Sequence, residues 1–138
     1  MYINLYTYIV CERDDMRFGE YFKTLRRSKG FTQEQIASCI GKSKMLVSGV
    51  ETGRNDAFLD DDLERIADFL KLSEEEESTL FFEATKARSR LPAHILEYMS
   101  RYGEIYGLLE LLAKENMGEK DIKELKQFVE EMKNAKND

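Results

Sequence analysis

An all-α fold is predicted for this 138-residue chain by three observations. Apolar residues recur at helical spacing along most of its length. Helix breakers are few, with one Pro and eight Gly. Capping residues stand where successive apolar stripes begin. A hydrophobic content of 42% supplies a packed core, and a charged fraction of 35% supplies its surface. No apolar run approaches the ~20 residues that span a bilayer. Met1 to Val10 is apolar and aromatic but lacks a basic flank and a small-residue cleavage site, so a secretory signal is not expected. Cys11 and Cys39 form neither a disulfide framework nor metal-ligand spacing. A reducing cytoplasm is the expected compartment, and no metal or cofactor is expected.

Each element has a local reason. Tyr2 to Val10 is β-branched and aromatic without a helical period, and reads as a short strand or a disordered extension over residues 1–15. Met16 opens a new pattern and offers an alternative start. Phe18, Phe22 and Leu25 recur at i, i+4 and i+7 in a first helix that Gly30 ends. Thr32, with Gln35 three residues on, makes a capping box for a second helix with Ile36, Ala37 and Ile40 on its inner face. Gly41 breaks it. Ser43 caps a third helix in which Val47 and Val50 point inward, and Gly53 stops it. Asp60 to Asp62 place acids at the start of a fourth helix, where the helix dipole favours them, ahead of the stripe Leu63, Ile66, Ala67 and Leu70.

The C-terminal half continues in the same manner. Ser73 and the run Glu74 to Glu77 start a fifth helix carrying Leu80, Phe81, Ala84 and Ala87. The acidic run is accounted for by that helix N-terminus. Pro92 suits the first turn of a sixth, and residues 92–115 are strongly apolar, with Ile95, Tyr98, Tyr102, Tyr106, Leu109 and Leu112 among them. His94, the only histidine, reads as a helix-start or core residue rather than a ligand. A break at Met117-Gly118 precedes a last amphipathic helix with Ile122, Leu125, Phe128, Val129 and Met132, and the polar tail from Lys133 is expected to fray.

Charge bears on the partner. The formal net charge is −6, but residues 16–72 balance at +1 while 1–15 and 73–138 carry −2 and −5. Acidity therefore excludes charge-driven coating of nucleic acid and leaves room for one basic face. Catalysis finds no Gly-rich phosphate loop, no Cys/His cluster and no nucleophile elbow, so an enzyme is not expected.

The informative stretch is TQEQIASCIGKSKMLVSGVETGRN, Thr32 to Asn55. Two short helices across a Gly turn, with small or apolar inward residues, let a second helix enter the DNA major groove while the first crosses the backbone. Over Phe18–Leu72 the chain resembles the XRE, or lambda-repressor-like, family of helix-turn-helix regulators. The resemblance is carried by Leu25-Arg26, Thr32-Gln33-Glu34, Ile36-Ala37, Gly41, Ser43, Val47-Ser48, Val50-Glu51, Gly53-Arg54-Asn55 and the later Leu63, Ile66-Ala67 and Leu70. It implies a lambda-repressor-like domain over 16–72 and a helical C-terminal region over 73–138 for dimerisation or partner binding.

The resemblance also implies roles. Gln33 would contact a phosphate and brace the reading helix. Ser43 and the amides around it would hold another phosphate. Lys44, Met45 and Ser48 would meet base edges, Lys44 suiting the N7 and O6 acceptors of a guanine and Met45 a thymine methyl. Arg54 and Asn55 would reach the backbone. Arg26 and Glu51 resemble the family's ion pair between the first and third helices, a structural feature. Two departures stand out. Gly49 lies mid-helix where the family often has a longer polar side chain, and Asp56-Ala57 replaces the usual proline after the Arg-Asn segment. With Lys42, Lys44 and Arg54 alone the reading surface is modestly basic, so a dimer on two half-sites is the natural arrangement on double-stranded DNA. Cys39 falls where the family carries an exposed polar residue and reads as a partly exposed free thiol. The expected function is a dimeric repressor. The alternative is an antitoxin-like or phage-derived inhibitor that binds a protein through residues 74–135 and autoregulates through its helix-turn-helix.

Overall fold

The computed structural model describes residues 17–137, and eight helices form among them with no strand. The strand or disordered extension expected for 1–15, and Cys11 with it, lie outside the described residues. In chain order the helices are α1 Phe18–Ser28, α2 Gln33–Ile40, α3 Lys44–Thr52, α4 Asp60–Phe69, α5 Glu74–Arg88, α6 Ala93–Arg101, α7 Glu104–Lys114 and α8 Glu119–Asn137.

The helix boundaries follow from cap chemistry. The Thr32 hydroxyl accepts from the Gln35 amide while the Gln35 side chain accepts from the Thr32 amide, closing a capping box on α2. Ser73 and Glu76 repeat it at α5. Ser43 accepts from the Leu46 amide at the start of α3. Gly41 ends α2 at φ 66°, a left-handed backbone that costs a glycine nothing, and the Lys42 amide then reaches the Ala37 carbonyl at 2.9 Å.

One core binds the first five helices. Phe18 and Phe22 from α1, Ile36 and Ile40 from α2, Val47 and Val50 from α3, Leu63 and Ile66 from α4, and Leu80 and Ala84 from α5 are all buried in a single cluster. Phe58, from the segment between α3 and α4, completes it and meets Phe22 edge-on at 4.8 Å between ring centres. The core thus continues past residue 72 into α5, whose Ala87 faces outward.

The crossing of α1 and α3 is close enough to require glycine. A Cβ on Gly19 would stand 2.5 Å from the Glu51 carbonyl oxygen and also collide with the Val50 carbonyl. Gly19→Ala is expected to lower stability by about 1–3 kcal/mol despite the better helix propensity of alanine, because two backbones must part. A urea midpoint equal to that of the unsubstituted protein would show that the crossing adapts.

The C-terminal helices are laid down differently from the core. The apolar stretch 92–115 is broken at Tyr102-Gly103 into α6 and α7, where Tyr102 leaves helical geometry at φ −124°, ψ 82°. The helical course of α8 persists to Asn137, past Lys133, where fraying was expected. No residue of α6, α7 or α8 is fully buried. The ties from α6 back to the core are few: His94 meets Phe81 edge-on at 5.9 Å, and Pro92 is buried. Asp60, at the start of α4, accepts from the Arg88 guanidinium at 2.8 Å through Oδ1 and from the Ala93 amide at 2.9 Å through Oδ2. Burial alone would raise the pKa of this carboxyl, but those two donors outweigh it and the net shift is downward.

Candidate nucleic-acid interface

The three-residue turn Gly41-Lys42-Ser43 fixes α2 against α3. Ala37 is buried, and its small side chain suits the close approach of the two helices, while Val47 and Val50 turn inward. That burial rotates the opposite face of α3 to the surface. Lys44 and Met45 are exposed, Met45 to 76%, and Ser48 is half-buried beside them. Ser43 is exposed although its hydroxyl serves as the α3 cap. Arg54 and Asn55 are exposed after the helix.

Several of these side chains already have partners inside the protein. Arg26 and Glu51 form a buried pair, with Nη2 to Oε1 at 2.7 Å and Nε to Oε1 at 3.0 Å. Gln33 donates through Nε2 to Glu51 Oε2 at 2.9 Å, which couples the first residue of α2 to α3. Lys44 Nζ lies 3.0 Å from Glu34 Oε1, and Lys42 Nζ lies 3.6 Å from the buried Asp62. Arg54 forms no ion pair among the described residues. The surface therefore brings Ser43, Lys44, Met45 and Ser48 together, flanked by Arg54. Two of its expected cations, Lys42 and Lys44, are each faced by a carboxylate.

Gly49 has a concrete explanation in this geometry. The Asn55 side chain lies over it, so a Cβ there would collide with the Asn55 amide nitrogen and stand 2.8 Å from its Cγ. The Asn55 amide also donates to the Gly49 carbonyl at 2.9 Å, and its Nδ2 to the Leu46 carbonyl at 3.4 Å. Gly49 thus lets the loop fold back on α3 and satisfy the Gly49 carbonyl in the helix's last turn. The sequence marks Gly49 as a departure from the family's longer polar side chain but does not show the loop residue, six positions on, that fills the space. Sequence reasoning also passed over the Glu34–Lys44 contact, for which the only signal was an acid and a base on facing first turns.

Cys39 is a free, half-buried thiol that donates to the Arg65 carbonyl at 3.4 Å. Burial raises its pKa, which keeps it protonated and poorly nucleophilic. No group of metal-ligating side chains occurs among the described residues, and no helix there is long and apolar enough to cross a membrane.

A family model described as a helix-turn-helix domain matches residues 17–80, consistent with the XRE-like resemblance. That span takes in the core through Leu80 of α5. No curated protein matches the chain, and no solved structure matches it. Residues 17–80 are a helix-turn-helix domain, the class of fold that presents its second helix to DNA.

Proposed function

We propose that the chain is a sequence-specific DNA-binding transcriptional regulator acting as a dimeric repressor. The observation that carries this reading is the outward face of α3, where Lys44, Met45 and Ser48 share the N-terminal half of a helix that protrudes beside a capped α2. In this reading α3 enters the major groove, Lys44 donates to guanine, Ser48 meets a neighbouring base, and Met45 offers apolar contact. Ser43, Gln33, Arg54 and Asn55 lie toward the phosphates. The internal bonds of Gln33 and Asn55 give them a bracing part as well.

Dimerisation is supported by the C-terminal helices. Tyr98, Tyr106, Leu109, Leu111 and Phe128 on α6, α7 and α8, and Tyr102 between α6 and α7, are all about half exposed, an apolar surface of the kind that partners cover. A second copy would cover it and set two α3 helices on half-sites about 34 Å apart. The same surface supports a second reading, in which a protein partner takes that place and the N-terminal domain autoregulates.

Selection from a random duplex pool tests the proposal and is expected to yield a palindrome. On that site Lys44→Ala or Ser48→Ala should cost about 1–3 kcal/mol and relax specificity at one position. Arg54→Ala should instead weaken binding to all sequences and reduce the salt slope by about one. No enrichment at low salt, together with a monomer in sedimentation, would overturn the reading. A heteromeric complex in pull-down in place of a homodimer would favour the second.

A further inference from the structure

We infer that Glu34 is a selectivity residue of the reading surface, holding Lys44 away from phosphates so that it engages DNA chiefly where a base edge offers it acceptors. The inference rests on the DNA-binding reading above and deepens it. Glu34 is the second residue of α2 and Lys44 the first of α3, so their 3.0 Å pair bridges the two helix starts of the motif. Both side chains are about 60% exposed, so the pair is wet and screened and adds little to folding. Its chemical consequence is local. A hydrogen bond from Lys44 holds the Glu34 carboxyl below its usual pKa, so the carboxylate is fully ionised at neutral pH.

An unpaired lysine in this place would be a point charge able to bind any phosphate. Beside the Glu34 carboxylate its charge is partly offset, and an approaching phosphate meets a like charge. The edge of a guanine carries no net charge, so its N7 and O6 acceptors repel the carboxylate less than a phosphate does. The Lys44 ammonium has three N–H donors. One serves Glu34, and two remain for the guanine N7 and O6 acceptors. The pair therefore penalises backbone contact more than base contact. Lys42 is similarly faced by a carboxylate, Asp62, whereas Arg54, and Arg17 beside Gly53, form no ion pair among the described residues.

The test compares the full chain with E34Q, K44M and E34Q/K44M on two duplexes, one of mixed sequence and one selected from a random pool, across a salt series. Thermal melting confirms that each variant is folded. E34Q is expected to bind the mixed duplex about five- to tenfold more tightly at low salt, with a log-log salt slope steeper by about 0.9. The gain on the selected duplex should be smaller, so the specificity ratio falls. In the K44M background E34Q should change mixed-duplex binding less than about twofold, since no lysine is left to release. Unchanged mixed-duplex binding by E34Q, or an equal gain with and without Lys44, overturns the inference. If the unsubstituted chain binds neither duplex at low salt, the DNA reading falls and this inference with it. If it binds and E34Q binds identically, only the role of Glu34 falls.

Discussion

Glu51→Ala is expected to destabilise the protein by about 3–5 kcal/mol, read as a lower urea midpoint at unchanged m-value. Its side chain is 2% exposed and that of Arg26 8%, so truncation leaves a guanidinium buried without its counter-charge. Among the described residues, the guanidinium's hydrogen-bond partners are Glu51 and the Phe31 carbonyl, which accepts from Arg26 Nη1 at 2.7 Å. The Gln33 amide would lose its acceptor as well. Because this network joins α1, the turn at Phe31, α2 and α3, the variant should also loosen α3 and impair DNA binding beyond what the unfolded fraction explains. Glu51→Gln keeps the shape and most hydrogen bonds, and should lose less. A paired Arg26→Met, Glu51→Leu substitution should be nearly neutral for stability, since both charges leave together. A loss under about 1 kcal/mol in Glu51→Ala would show that water reaches the site and that the pair contributes little.

Leu80→Ala is expected to cost about 2–5 kcal/mol. Leu80 is fully buried in the cluster that holds Phe22, Ile36 and Ile66, so its removal opens a cavity where α5 packs on α1 and α4. Surface truncation elsewhere on α5, at Glu75 for example, should stay within about 0.5 kcal/mol. The contrast tests whether α5 is structurally part of the DNA-binding unit. If Leu80→Ala melts with the midpoint of the unsubstituted protein, α5 docks too loosely to count as core. A drop confined to the cooperative transition of the whole domain establishes one folding unit through residue 80.

The parts of this fold that were legible in the sequence are those whose cause is local. Thr32 with Gln35, Ser73 with Glu76, Ser43, Gly41 and Gly53 all act within four residues of themselves, and the helix limits followed from them. The buried stripes of α1 to α4 were legible because a 3.6-residue period reports one solvated face. Phe58 was not, since it is a core residue outside any helix and has no periodic neighbours to mark it. Gly49 and Glu34 were opaque for a related reason: their meaning resides in Asn55 and Lys44, which only the turns bring near. The apolar pattern of residues 92–115 announced helices but not a covering for them. Tyr102-Gly103 broke the run, although glycine propensity alone costs only about 1 kcal/mol there.

The Asp60 carboxylate, holding Arg88 and the first amide of α6 at once, works as a fixed strut where the C-terminal helices leave the domain. Its folded pKa is depressed, so the stability it contributes is fully present above the ordinary carboxylate value and is lost only as pH falls through the folded one. Across the neutral range the strut stays ionised and closed. In the proposed dimer the junction at which α6 leaves the domain would accordingly be insensitive to pH across the neutral range.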